Sequence, residues 1–225
     1  MNITPNKNKA LMLAKREVAV FVKDAVALEG IHFTLPEIQT LLQGITVGGH
    51  KLSEEQIAVN QGNAWAFVFD AIKNETFCFN HDFVCQLHNI AAKEEALQWG
   101  CFRTGGVTIA GSSYTPPKAS ELVALFNNMV EKTETIDDIY DKAISIFLTF
   151  SRHQFFYDVN KRMGRFIMNA VLLNAGYLAI NLPAKRQLEF NQLMMAFYVS
   201  ADETEMNRFL RSCLDPRMIE IMNEK

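Results

Sequence analysis

A mainly α-helical fold is what this 225-residue sequence predicts, and three observations carry the prediction. Apolar residues recur at helical spacing through most of the chain. Helix-opening signals stand just ahead of several of those runs. Only one short stretch, 102–111, is β-branched and broken by glycine, which adds a small β-hairpin or extended flap to the helical bundle. At 49% hydrophobic, the chain can bury a substantial core. No internal repeat, low-complexity tract or Pro/Gly/Ser linker divides it. The expected organisation is a helical extension over 1–50 packed on a main domain over 51–215, with a tail at 216–225.

The elements follow in order. Leu11, Ala14, Val18, Phe21, Val22 and Val26 mark a helix over 8–28, closed by Glu29-Gly30 with the glycine as its C-cap. Thr34-Leu-Pro-Glu37 is a capping box with proline in the first turn, and its helix runs to about Leu42. Ser53-Glu-Glu-Gln56 is a second capping box. It opens a helix in which Ile57, Ala64, Trp65, Val68 and Ile72 share a face. Residues 81–97 are predicted helical. The flap follows, ended by Tyr114-Thr-Pro-Pro117, and helices resume at 118–131 and 136–151. A non-helical stretch from His153 to Val159 precedes a helix starting near Asn160. The last helices are expected at 184–199 and 203–213.

Charge and cysteines narrow the function classes. A net charge of -3 and pI near 6.0 argue against nucleic acid as a partner. There is no apolar run long enough to span a membrane and no secretory signal, so the expectation is a cytoplasmic protein. Cys78, Cys85, Cys101 and Cys213 form no C-x-x-C pair and are expected as reduced thiols.

Chemistry concentrates in Ser151-Arg-His-Gln-Phe-Phe-Tyr-Asp-Val-Asn-Lys-Arg-Met-Gly-Arg165. Asp158 is a hard oxygen ligand suited to Mg²⁺. Asn160 sits where a helix begins, so free amides and the dipole favour an anion there. Lys161, Arg162 and Arg165 add cationic donors, and guanidinium groups suit phosphate oxygens. A basic first turn is unfavourable unless something negative compensates it. A bound polyphosphate and an internal glutamate both fit.

This segment resembles the signature of the Fic family, H-x-F-x-[DE]-[GA]-N-[GK]-R-x-x-R. Phe156, Asp158, Asn160, Lys161, Arg162 and Arg165 fall on its positions without gaps, and Phe150 and Arg152 resemble residues common just before it. The resemblance implies a Fic-type helical bundle with a hairpin flap. It also implies Mg²⁺ on Asp158, with ATP phosphates bound by Asn160, Lys161, Arg162, Gly164 and Arg165. Two departures stand out. Gln154 occupies the place of the catalytic histidine, with His153 one residue early, and Val159 replaces glycine or alanine. Glutamine accepts no proton at neutral pH, so His153 as base, Gln154 acting by hydrogen bonding only, and no base at all stay open.

The likeness extends further. Gly100-x-x-Arg103, Val107-Thr108-Ile109, Gly111-Ser and Pro116-Pro117 are similar to the family's flap, which clamps a target protein by strand addition. Phe190, Tyr198, Ala201-Asp202 and Phe209-Leu210 resemble the helices closing the core, with aromatics near the adenine. Ala25-Val-Ala-Leu-Glu29-Gly30 resembles the inhibitory motif [ST]-x-x-x-E-[GN], with alanine for the hydroxyl residue, and implies a Glu29–Arg165 pair. The implied activity is AMP transfer from ATP to a hydroxyl side chain of a flap-bound target protein, restrained by Glu29. Doc-like phosphotransfer and a catalytically silent nucleotide-binding or toxin-regulating protein are the alternatives. A homo-oligomer or an antitoxin is a possible partner under the resemblance.

Overall fold

The most extensive helix pair, α6 (Ile139–His153) against α7 (Asn160–Asn174), lies at the centre of the molecule and brackets the signature loop. The structure, a computed structural model, describes residues 3–224, so the outermost residues of the 1–50 and 216–225 segments lie outside the described part. Its other helices are α1 (Lys7–Ala27), α2 (Leu35–Leu42), α3 (Leu52–Lys73), α4 (His81–Ala91), α5 (Leu122–Glu134), α8 (Gln187–Ser200), α9 (Thr204–Arg211) and α10 (Pro216–Asn223). Single 3-10 turns at Ala119–Glu121 and Ala184–Arg186 lead into α5 and α8. Phe126, Phe147, Phe150, Phe155 and Phe156 are fully buried, so the core reaches up to the loop itself.

The α6–α7 contact is close because of Gly164. A Cβ at that position would lie 2.9 Å from the Phe147 carbonyl oxygen and 3.0 Å from the Phe147 ring. Gly164 therefore belongs to helix packing. Its bare face meets α6.

Helix α1 packs on α2, α3 and α7, burying Leu11, Ala14, Val22 and Val26 from the anticipated stripe. Buried Asp24 pins it, accepting from Asn181 Nδ2 at 2.6 Å and from the Ala184 amide at 3.2 Å. After Ala27 the chain turns through Gly30 at φ +83°. The Gly30 and Ile31 amides return to the Ala27 and Val26 carbonyls, a Schellman closure that satisfies the helix end. Glu29 is thereby held at a fixed place beyond the helix.

Several boundaries differ from the sequence reading for physical reasons. The Thr34–Glu37 box is present, with the Thr34 amide donating to Glu37 Oε2 at 2.6 Å. The next helix opens at Leu52 with Lys51 as N-cap, and Glu54 accepts from the Lys51 amide, so Ser53 lies inside the helix. α4 stops at Ala91, short of 97, because Gln61 and Asn60 of α3 donate to the Ala91 and Lys93 carbonyls. The 216–225 segment is not a plain tail but holds α10, capped by Asp215 and opened by Pro216.

The hairpin is the main correction. Among the described residues there is no strand; 106–109 has no regular secondary structure, a turn begins at Ala110, and residues 107–110 alternate half-buried and exposed. Its prospective partner cannot pair. Pro116 and Pro117 lack amide donors, and Tyr114 is drawn under the Arg152 guanidinium, 4.0 Å from the ring centroid.

Candidate functional site

Two left-handed residues shape the loop between α6 and α7. Gln154, at φ 52°, closes α6, and Val159, at φ 65°, turns the chain into α7. A β-branched residue in that conformation is strained by about 1–3 kcal/mol, which gives the family's small residue at this position its physical reason. Val159 is held there by burial, at 3% exposure.

Asn160 ties the loop together from inside. Its Oδ1 accepts from the Phe156 amide at 2.9 Å, while Nδ2 donates to the Phe156 carbonyl at 2.8 Å and to Gln154 Oε1 at 3.0 Å. Gln154 Nε2 in turn donates to the Ser151 carbonyl at 2.6 Å. Both ends of the Gln154 amide are thus engaged within the protein. Asp158 Oδ1 accepts from the Val159 amide at 2.6 Å. Its other oxygen has no hydrogen bond among the described residues, and Asp158 is exposed.

No side chain caps α7, and its first turn contains no acid although it carries Lys161 and Arg162. The compensating charge comes from elsewhere. Glu29 Oε1 lies 3.7 Å from Arg162 Nε and 3.7 Å from Arg165 Nη2, bridging the two guanidiniums. Burial pushes the Glu29 carboxyl up, but Arg162, Lys161 and Arg165 together hold it below its ordinary value. Burial lowers Arg165 to about 10 despite the attraction of Glu29.

Arg162 has a second partner that the sequence did not reveal. Glu95, from the turns after α4, grips its fork, with Nη1 donating to Oε2 at 2.9 Å and Nη2 to Oε1. Burial works against the Arg162 charge, yet the Glu95 hydrogen bond and the nearby carboxylates raise its pKa overall. His88 was also missed. Fully buried, it stacks on Phe156 with ring centroids 3.7 Å apart, accepts from the Gly100 amide at Nδ1, and faces the Asp158 carbonyl with Nε2. The sequence reading placed it only within the predicted helix over 81–97.

His153 goes elsewhere. It ends α6, and its ring lines a separate cavity of about 240 Å³ with Lys132, Ser145 and Glu203. Its Nδ1 is buried without a partner, and burial, aided by Arg152, lowers the imidazole to about 4. Gln154 instead lines a cavity of about 390 Å³ with Lys161, Thr108, Ile109, Phe190 and Tyr198. The loop therefore does not bring His153 to the basic cluster; a one-residue offset at a helix end puts the two side chains on different faces.

Arg103 is a clamp. At 2% exposure, it donates to the carbonyls of Gln154, Gly105 and Pro117 at 2.6 Å each, and its own amide donates to Phe155. This buried set joins the extended segment to the loop and leaves Arg103 no surface for a target. Thr108 and Ile109 line the cavity beside Gln154, and Val107 is half-buried next to them in sequence.

Asp158 alone makes no metal cage, and no cluster of three or more His, Cys, Asp or Glu suited to a metal occurs among the described residues. One free carboxylate oxygen beside a basic helix start fits Mg²⁺ that arrives on phosphates and keeps its waters.

With this geometry in place, the chain compares as follows. A Fic/DOC family model matches residues 78–172. The protein adenylyltransferase Fic of Drosophila mojavensis is 24% identical over 217 residues, covering 92% of this chain and 41% of the fly protein. The Drosophila melanogaster protein of the same name is also 24% identical, over 92% of this chain and 42% of its own length. The chain thus spans about two-fifths of these relatives. Among solved structures, Fic-1 from C. elegans superposes with a TM-score of 0.79 at 17% identity, covering 93% of this chain and 63% of that one. A Fic domain-containing signalling protein from Bacteroides thetaiotaomicron also gives 0.79, at 16% identity, over 97% and 90% of the two chains. The helical fold, the signature loop and the family match agree that this chain carries a Fic/Fido domain.

Proposed function

We propose that this chain is a Fic-type adenylyltransferase that moves AMP from ATP to a hydroxyl of a target protein, with Glu29 as its internal brake. The observation that carries the proposal is the bridge of Glu29 Oε1 between Arg162 and Arg165, beside a helix start that lacks its own acid. An oxygen held between two guanidiniums occupies a place suited to a phosphate oxygen. The likeness to the fly protein adenylyltransferases supports the same activity.

In this reading the free amides of α7 receive the α-phosphate, and Lys161 and the arginines receive the rest of the triphosphate. Asp158 would hold Mg²⁺, which neutralises phosphate charge when bound. The target lies along the unpaired 107–110 segment, adding its main chain to that edge. The target oxygen bonds to the α-phosphorus, the bond from that phosphorus to the bridging oxygen breaks, and pyrophosphate leaves. The hydroxyl proton passes to solvent water, because Gln154 cannot take it. Rate enhancement then rests on positioning and charge stabilisation.

One observation favours a second reading, a nucleotide-binding protein without transfer. Gln154 lines the cavity with both its amide nitrogen and oxygen bonded inside the protein, and His153 lines another. Incubation with α-labelled and γ-labelled ATP separates the possibilities. Protein-bound α-label is expected for adenylyl transfer; γ-label alone means phosphotransfer, and no label with ATP bound means the silent protein.

A further inference from the structure

Arg162 has an unusual environment for a phosphate ligand. Its guanidinium is 4% exposed, and Glu95 already takes both Nη groups of the fork. Two of its five N–H donors are taken by Glu95; of the others, the Nε–H is buried and has no hydrogen-bond partner. That edge faces Glu29 Oε1 at 3.7 Å, too long for a hydrogen bond, with Arg165 Nη2 on the far side of the same oxygen.

Glu95 itself is well placed to hold a side chain still. Its turn is anchored where Asn60 donates to the Lys93 carbonyl and where the Glu95 and Ala96 amides return to Ala92. Breaking a buried bidentate pair costs about 3–5 kcal/mol, so an incoming phosphate does not readily take the fork from Glu95. The oxygen at Glu29's position is bonded far more easily, since Nε is still unsatisfied there.

We infer that Glu95 is a positioning residue for triphosphate binding: it fixes the Arg162 fork from behind so that the Nε edge and Arg165 together cradle one phosphate oxygen at the place Glu29 now fills. Glu95 touches no nucleotide; it acts through Arg162. Arg165 stands about a turn beyond the helix-start amides, at about 1.5 Å of rise per residue, and this assigns the cradled oxygen to a phosphate beyond the one the amides hold. ATP feels Glu95, and AMP does not. This inference rests on the proposed nucleotide site and extends it to a residue outside the signature.

The test measures ATP and AMP affinities by calorimetry in the Glu29→Gly chain, alone and combined with Glu95→Gln or Glu95→Asp. Glu95→Gln is expected to weaken ATP about tenfold while AMP changes less than about twofold, and Glu95→Asp, which keeps the charge on a shorter arm, falls between. The ratio of the two affinities is informative even where a variant is partly unfolded, because lost protein weakens both ligands alike. An unchanged ratio in both variants overturns the inference and leaves the nucleotide site standing. A ratio that moves towards tighter ATP overturns it too, making Glu95 a competitor of phosphate. If the Glu29→Gly chain binds neither nucleotide, the site itself is wrong and the inference falls with it.

Discussion

Gln154 occupies the cap of α6 in a left-handed conformation, with its amide bonded to Ser151 on one side and Asn160 on the other. A side chain held this way shapes the loop and moves no proton. Replacing it with histidine puts a proton acceptor beside Lys161, and general-base catalysis contributes about 10²–10⁴-fold. Gln154→His in a Glu29→Gly chain is therefore expected to raise label transfer by about a hundredfold or more; an unchanged rate would show that proton removal is not what limits the reaction. Val159 makes a different point. Burying its side chain is worth about 1.5–3 kcal/mol, and its left-handed backbone costs about 1–3 kcal/mol, so the two nearly cancel. Val159→Gly should change stability in urea by less than about 1 kcal/mol, whereas a loss above about 2 kcal/mol would mean that the strain is small. The sequence displayed Gln154 and Val159 as departures from a pattern. It did not display Glu95 or His88, because their roles depend on which partner the fold brings near.

At the scale of elements, helices with local signals were legible and those ended by distant contacts were not. Thr34 and Glu37 announced α2 at its first turn. α4 carries no stop signal at Ala91, since Asn60 and Gln61 from another helix supply it. α10 did have a local signal, Asp215-Pro216, which the description of 216–225 as a tail overlooked. The flap was half legible: residues 106–109 do leave the helical pattern, but a hairpin needs a second strand, and the proline-bearing segment cannot provide one. The result is a segment whose 107–110 amides have no backbone partner among the described residues, while the Ile109 carbonyl already accepts from the Ser112 amide at 3.1 Å. Thr108→Pro removes one amide donor from that segment. Transfer to the target should fall at least about tenfold with ATP affinity unchanged, measured side by side by labelling and calorimetry. Equal labelling of the target would place docking elsewhere.

Across the whole molecule, the first helix presents Glu29 to the arginines of a site built by the sixth and seventh. α1 is fixed on the core by Asp24, and Gln187 of α8 donates to the Leu28 carbonyl, so Glu29 arrives at Arg162 and Arg165 from a rigid support. Loosening that support without touching the site should act like a weak form of removing the glutamate. Asp24→Ala leaves Asn181 and the Ala184 amide without their acceptor, at a cost of about 1–3 kcal/mol in stability, and is expected to increase label transfer severalfold. Lower transfer from a folded Asp24→Ala protein would show that α1 supports the site more than it restrains it. The most direct measurement compares protein-bound label from α-labelled ATP in the native chain and in Glu29→Gly under identical conditions. Glu29→Gly frees Arg162 and Arg165 for phosphate, and the expected result is at least about a tenfold increase. Equal or lower labelling would contradict the proposal that Glu29 restrains an adenylyl-transferring site.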